Sequence, residues 1–521
     1  MSKTVRPAPT DPADGYVAAL GYTHGYFPEI NPLRMRFALL LAGLAPPEIQ
    51  HACELGFGQG ISLNVHAAAS SVQWWGTDFN PQHAQLAGAL ASASGNGAAV
   101  CAQAFEDFAA RNDLPEFDYI ALHGVWSWVT PAVQQQIVAF LRQKLRPGGV
   151  AYLGYNALPG WTNFLPLRQL MTAHANRAST SDAPLEQRIA DSVSFMAELF
   201  ATQPAAARGL PQLADRVDQW QSRSANYLAH EYFNEAWDPV HFSSIAKALA
   251  AADLAYAGSA QPLDDVDALN LSAAQQALLG TIPEQALRED TRDYMVNRQF
   301  RRDYWIKGAR CLSPTEREAA LRELRVVLTL PRDRVVLKAT GALGESSLNA
   351  RRYQPILDLL ADHQAHAIGD LAVSLAANLR SFDALVEALA VLVGTGQVAP
   401  AQDDASARAA TPSAQRLNAE FARRAAVNAD ISVLASPLTG GGVEVGRMSQ
   451  LFLNAIATVG EDSRLWAPYV WRILEPQGHR FRRDGHWLDG SEDNLEQLTV
   501  LATTFKAQAL PVLERLGMVG V

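Results

Sequence analysis

At 521 residues the chain is long enough for about three or four domains, and 48% of it is apolar, so large cores are expected. Its 43 basic and 53 acidic side chains leave a net charge of −10, which disfavours broad nucleic-acid binding because that requires a positive surface. Three scattered cysteines, Cys53, Cys101 and Cys311, exclude a disulfide framework or a cysteine zinc site and read as reduced core thiols.

The opening stretch "MSKTVRPAPTDPADGY" has no apolar core segment and does not read as a secretion signal. No run of about 18 apolar residues follows it, so no membrane span is expected and the chain reads as cytoplasmic. Next comes "YVAALGYTHGYFPEINPLRMRF", rich in rings at Tyr16, Tyr22, Tyr26 and Phe27. It precedes the first strand and reads either as a lid over a ligand or as packing against a sheet.

Residues 46–155 alternate strand-like and helix-like segments. "IQHACELGFG" reads as a buried strand ending in a glycine turn, "ISLNVHAAAS" as a helix, "VQWWGTDF" as a second strand, and "PQHAQLAGALASAS" as a helix opened by proline. "AAVCAQAF" and "FDYIALHGVWSWV" read as strands, "PAVQQQIVAFLRQKL" as a helix stopped by "RPGG", and "VAYLGYNALPGW" as a fifth strand. This β-α-β-α order predicts an α/β domain over 1–162, with a lid at 1–45, built on a parallel, doubly wound, Rossmann-like sheet.

From 163 to 230 the pattern is helical only, with one stripe at Phe164, Leu167, Leu170 and Met171 and another at Leu185, Ile189, Val193, Met196 and Phe200. "DPVHFSSIAKALAAADLAYAGSA" then returns to helix plus strand, so 163–230 reads as an insertion and 231–262 as a return to the α/β domain. A middle domain is expected over 263–340, with the charged run "REDTRDYMVNRQFRRDYWIKG". A mostly helical C-terminal domain is expected over 341–521, containing the low-complexity linker "APAQDDASARAATPSA".

The glycine turn "ELGFGQG" carries the chemistry. Its spacing is G-x-G-x-G (Gly56, Gly58, Gly60), with Ile61 where the dinucleotide pattern has its last glycine, and no Gly-Lys-Ser/Thr follows as in a P-loop. Glu54 at the strand end would repel a phosphate; it suits an amino group or braces the turn. Asp78, with Phe79 and Asn80 behind it, ends the next strand and can accept from both ribose hydroxyls, or it is a turn aspartate ahead of Pro81. Glu106 and Asp107 in "AFEDFA" could read an exocyclic amine, with Phe105 or Phe108 against the ring, or they form a solvated first helical turn. A ligand with an adenosine, an amino group and no phosphate is S-adenosylmethionine.

As a set, these residues resemble a class I S-adenosylmethionine-dependent methyltransferase. "YNALPGW" (155–161), "NYLAHEYFN" (226–234), "FRRDYW" (300–305) and "LASPLTG" (434–440) resemble methyltransferases carrying the methyltransferase regulatory domain. Length and order of parts resemble bacterial protein-lysine methyltransferases of outer-membrane proteins. That resemblance implies a homodimer through the helical insertion, a protein substrate offering lysine side chains, and a tyrosine-rich cofactor cover to which Tyr16 and Tyr26 belong.

Methyl transfer is an in-line displacement, so the site must align its reactants and exclude water. A lysine must also arrive neutral, against a free pKa of about 10.4, and an apolar channel helps. His123, Gly124, Trp126 and Trp128 follow the fourth strand, where acceptor-facing residues lie in this fold. The two tryptophans either line the transfer site or belong to the core, and His123 either accepts a proton or shapes the loop. Tyr22, Phe27, Tyr155, Asn156 and Trp161 are the candidate acceptor-side residues, although Pro159-Gly160 could simply turn the chain into the insertion. The fourth strand lacks Asn/Asp-Pro-Pro-Tyr/Phe, which argues against adenine and glutamine acceptors. The 12 histidines are dispersed and the pair His363/His366 reads as surface, so no metal is expected.

"YQPILDLLADHQAHAIGDLAVSLAANLRSFDALVEALAVLVGTGQVAPA" resembles a winged-helix unit. Residues 341–400 hold Arg351, Arg352 and Arg380 against Glu345, Asp358, Asp362, Asp370, Asp383 and Glu387, a net of −3, so protein contacts are expected rather than DNA. Three functions follow from this sequence: a protein-lysine methyltransferase, a small-molecule or glycan-associated methyltransferase with regulatory accessory domains, and a non-catalytic cofactor-binding regulator. The intact turn and Asp78 disfavour the third.

Overall fold

The structure, a computed structural model, describes residues 24–177 and 183–520. Tyr16, Tyr22 and the front half of the expected lid lie outside the described residues. The centre of the fold is a seven-stranded sheet: β1 (His51–Leu55), β2 (Gln73–Asp78), β3 (Ala99–Ala102), β4 (Phe117–His123), β5 (Leu145–Asn156), β6 (Leu254–Ser259) and β7 (Phe300–Lys307), in spatial order 3-2-1-4-5-7-6. β1 and β4 are buried on both faces, as their apolar runs require. Helices flank them: α1 (Pro32–Leu41), α2 (Ile61–Ala69), α3 (Pro81–Ser94), α4 (Phe105–Ala109) and α5 (Pro131–Lys144). Proline opens α1, α3 and α5, where a missing N–H costs nothing, and Gly95 ends α3 in the left-handed region.

The sheet departs from the parallel expectation at β7, which runs antiparallel to both β5 and β6. Asn156, the last residue of β5, faces Phe300, the first of β7. The chain therefore stays at the carboxyl edge after β6 and enters β7 from there, which forces the reversal. This also corrects the expected middle domain at 263–340, because its charged run supplies a central strand. Arg301 is buried there and bonds Asp293 (2.9 Å), Asp303 (2.8 Å) and Glu289 (3.1 Å). "RPGG" lies inside β5 rather than closing α5, and "WSW" is a short 3-10 turn, Trp126–Trp128, rather than strand.

Helices Leu165–Ala175, Leu185–Ala201, Gln212–Gln221 and Ala225–Tyr232 enclose a separate core around Met171, Met196 and Trp220. Leu170, expected on the inner stripe, is instead 41% exposed. A three-stranded sheet with Arg325–Leu328 at its centre, paired to His366–Ala367 and Val398–Ala401, packs with the helices after it in one core. The boundary expected at 341 cuts through that unit. The expected linker is helix Asp404–Ala425: alanine favours the helix, and Asp403 caps it by accepting from Ala405 and Ser406 N–H. That helix packs on α2 and α3 and centres a further core. Cys53 is buried, whereas Cys311 is exposed and not the core thiol expected. No helix among the described residues is long and apolar enough to cross a membrane.

Candidate active site

β1 ends at Leu55 and α2 begins at Ile61, so the chain turns within five residues. Gly56, Gly58 and Gly60 all have left-handed φ, at +70°, +56° and +71°, a region costly for any residue with a Cβ. Space adds a second reason. A Cβ on Gly56 would stand 2.6 Å from Val125, and one on Gly60 would stand 2.5 Å from Ala87 of α3. Gly56 and Gly58 line a cleft at the carboxyl edge of the sheet, whereas Gly60 caps α2 and packs on α3 away from it.

The cleft measures about 130 Å³, below the roughly 300 Å³ at which cofactor pockets begin, so an adenosine-sized ligand requires a wall to yield. Asp78 stands in its wall, and among the described residues no lysine or arginine does. Its Oδ2 accepts from Gly58 N–H at 2.9 Å, and its Oδ1 accepts from Asn80 N–H at 2.9 Å and meets His83 Nδ1 at 3.1 Å. The carboxylate thus fixes the glycine turn as well as facing the cleft. Asn80 caps α3 by accepting from Gln82 N–H, which corrects its placement among the ligand contacts. Phe79 lines the wall.

Glu54 lies beneath the turn, 2% exposed, with Oε2 lacking any hydrogen-bond partner. Burial, and then the neighbouring Asp78 charge, pushes its carboxyl up to about 8. It is not on the cleft wall. A cationic amine above the turn would relieve it; without one it is a protonated acid at neutral pH.

Glu106 and Asp107 are exposed in the single turn of α4 and do not line the cleft. Glu106 reaches it only through Gln136, whose Nε2 donates to Oε2 at 3.1 Å. Phe105, Gln103, Val133 and Gln136 form that end instead, and Phe108 is wholly buried. Val133 and Gln136 lie on α5, one face-turn apart at i and i+3, a spacing that could have flagged them.

At the other end His123 and Gly124 line the wall, the latter at φ +69°. His123 Nδ1 is 2.7 Å from Tyr152 Oη, and its ring lies on Phe27 with centroids 3.5 Å apart. Burial first, and Arg302 second, hold this imidazole down at about 3, so it is neutral. Gly154 makes room: a Cβ there would stand 3.2 Å from Tyr152 Oη and 3.3 Å from His123 Nδ1. Trp128 lines the cleft, whereas Trp126 is core, 3% exposed.

Three further expectations fall elsewhere. Tyr26 Oη accepts from Gly442 N–H at 2.7 Å, so this tyrosine holds the C-terminal region rather than the cleft. Tyr155 points to the opposite sheet face, where its hydroxyl donates to Asp303 at 2.7 Å. Trp161 packs in the helical insertion against Tyr232 and Trp237. Asn156 is buried at the end of β5 with its Nδ2 unpartnered, on the same face as Tyr152 and Gly154 by alternation.

Comparisons with known proteins bear on the fold and the family. Residues 224–307 match the family described as a predicted methyltransferase regulatory domain; that span runs from the last insertion helix through β6 to the end of β7. Uncharacterized protein sll1526 of Synechocystis sp. is 34% identical over 510 residues, covering 97% of this chain and 99% of its own. Uncharacterized protein RP028 of Rickettsia prowazekii is 28% identical over 223 residues, covering 41% of this chain and 83% of its own. The structure of PKMT2 from Rickettsia typhi in complex with AdoHcy shares the fold at a TM-score of 0.67 and 18% identity, covering 93% of this chain and 98% of that one.

Proposed function

The chain belongs to the family of S-adenosylmethionine-dependent methyltransferases that carry a predicted methyltransferase regulatory domain, and from that premise we propose that it N-methylates lysine side chains of a bacterial protein, a surface or envelope protein being the best candidate. The observation that carries the cofactor assignment is the cleft wall, which among the described residues holds one carboxylate, Asp78, and no lysine or arginine. A pyrophosphate would find no cation there, whereas ribose hydroxyls can donate to Asp78 and an aromatic face, Phe105, stands near for a base.

When bound, the cofactor supplies a methyl carbon on a sulfonium. The chain's residues hold and exclude. Gly56 and Gly58 would let the backbone come close, Asp78 would accept from the sugar hydroxyls, and Glu54 would ionise beneath a cationic amine. An ammonium has no lone pair to offer the methyl carbon, so the acceptor lysine would have to arrive without its proton. Trp128, the neutral His123 and Phe27 supply an apolar rim that disfavours an ammonium. Tyr152's hydroxyl proton has no acceptor other than His123 Nδ1 among the described residues. Nδ1 therefore accepts, Nε2 carries the ring proton, and His123 shapes the rim rather than serving as a base. The lysine proton leaves to water before the acceptor is enclosed.

Labelled S-adenosylmethionine incubated with an envelope lysate tests this reading. Label in methyl-lysine after hydrolysis of the protein fraction supports it; label confined to small molecules or glycans sinks it. The proposed dimer rests on exposed Leu165 (36%) and Leu170 (41%) of helix Leu165–Ala175. Light scattering should give twice the chain mass, and Leu170→Glu should halve it; a wild-type monomer would refute the dimer.

A further inference from the structure

A second cavity, of about 340 Å³, lies where three parts of the chain meet. Its lining includes Tyr26 and Arg34 from the N-terminal segment, Thr329 and Val398 from the three-stranded unit, and Val433 and Val443 from the last unit. This size falls within the range of small-molecule sites.

Arg34 is the unexplained group. It is 8% exposed. Its Nε donates to Ala260 carbonyl oxygen at 3.1 Å and its Nη2 to Gln261 Oε1 at 2.8 Å, both uncharged acceptors. Among the described residues no carboxylate stands within 4.0 Å of it. Glu29, the acid nearest in sequence, is engaged by Arg302 at 3.3 Å. The first turn of α1 holds no acid, so the positive end of that helix adds to the guanidinium's field. A buried cation without a counter-charge costs several kcal/mol. Tyr26 supplies a second donor: its hydroxyl accepts from Gly442 N–H, and its own proton has no acceptor among the described residues.

Four valines, two prolines and Ala399 make the apolar part of the remaining wall, Asn31, Thr329, Ser432 and Thr439 add uncharged polar groups, and Glu444 stands exposed at the rim. A rim carboxylate opposes multiply charged anions; the valines favour an apolar body. We propose that this cavity binds a small organic monoanion, an apolar chain ending in a carboxylate, with Arg34 and Tyr26 holding the carboxylate. The site is separate from the methyl-transfer cleft and does not depend on the acceptor.

Calorimetry on the full chain with octanoate as probe tests the proposal, with 1-octanol and inorganic phosphate as controls. Octanoate should bind, octanol and phosphate at least tenfold more weakly, and Arg34→Gln should weaken octanoate tenfold or more. Val443→Trp, which fills the cavity and leaves Arg34 in place, should abolish binding while cofactor binding reports that the chain is folded. No octanoate binding up to about 10 mM overturns the proposal. So do equal binding of octanol or phosphate, and affinity untouched by both substitutions.

Discussion

The ring of Phe27 lies flat on the imidazole of His123, centroids 3.5 Å apart and planes 15° from parallel. Phe27 belongs to the segment ahead of β1, so this stack carries that segment to the end of β4, beside the part of the cleft that His123 and Gly124 line. Removing the ring with Phe27→Ala admits water to His123. Its titration, held down at about 3, should rise toward 6.5, followed by the imidazole proton resonance in NMR. Under the proposed function the same loss would wet the transfer site, so kcat should fall about tenfold or more, with a smaller effect on cofactor affinity. A histidine titration that stays in place would show that burial by other groups is sufficient.

Stability against pH follows from four groups whose titration burial shifts. His123 and His66 are held at about 3 and about 4 by burial, against about 6.5 unfolded. Below pH 6.5 the unfolded chain binds protons that the native chain refuses, so stability falls with acid, by about 1.4 kcal/mol per pH unit for each histidine until its native value is reached. Glu54 acts with the opposite sign. Raised to about 8, it keeps its proton in the native state while the unfolded carboxyl has lost it above about 4.5, so stability also falls as pH rises toward 8. Glu231, raised to about 7 by burial, adds to that alkaline loss. From about pH 5 to 6.5 the histidine gains and the carboxyl losses offset each other, and above 6.5 only the carboxyl losses remain, so urea unfolding of the cofactor-free chain should give a nearly level stability up to about pH 6.5 and a fall from there to about pH 8. Glu54→Gln should flatten the alkaline limb, and a limb unchanged in that variant would mean Glu54 is ionised in the native state.

Gly60→Ala tests the packing role of the turn. The new Cβ would meet Ala87 at 2.5 Å, and φ of +71° is unfavourable for alanine. Strain and the displaced α2–α3 contact together should cost about 2–4 kcal/mol, read as a lower urea midpoint at unchanged slope. Ala87→Gly in the same chain removes the contacting methyl group and should restore part of the loss. Absence of any recovery would assign the whole cost to backbone conformation.

Local chemistry made the turn and Asp78 legible, because strand, glycines and carboxylate lie within one β-α-β unit. The base-facing end was harder to read. Acidic Glu106 and Asp107 stand out in the sequence, but a one-turn helix points them to solvent and turns Phe105 inward. The family resemblance places Tyr26 in a cofactor cover, whereas its partner Gly442 lies 416 residues away, beyond any periodicity argument. Helix Asp404–Ala425 was hidden by alanine-rich low complexity, and β7 by its charges, since Arg301 and Asp303 are buried only because they satisfy each other, with Asp293 and Tyr155.

Asp78 offers the most direct check on the cleft. Its two oxygens hold Gly58 and Asn80 N–H, each at 2.9 Å, so the carboxylate shapes the turn before any ligand arrives. Asp78→Asn keeps the shape but puts an NH2 where one oxygen was, so either Gly58 N–H or Asn80 N–H faces a donor, and an acceptor for the ribose hydroxyls is lost. Losing hydrogen bonds to a charged acceptor costs about 1.5–3 kcal/mol, so calorimetry should find S-adenosylmethionine bound about 10- to 150-fold more weakly. Asp78→Ala should weaken it further and also lower the unfolding midpoint, since the Gly58 amide then has no acceptor. If affinity survives both substitutions, the sugar lies elsewhere and the cleft beside Asp78 is not the cofactor site.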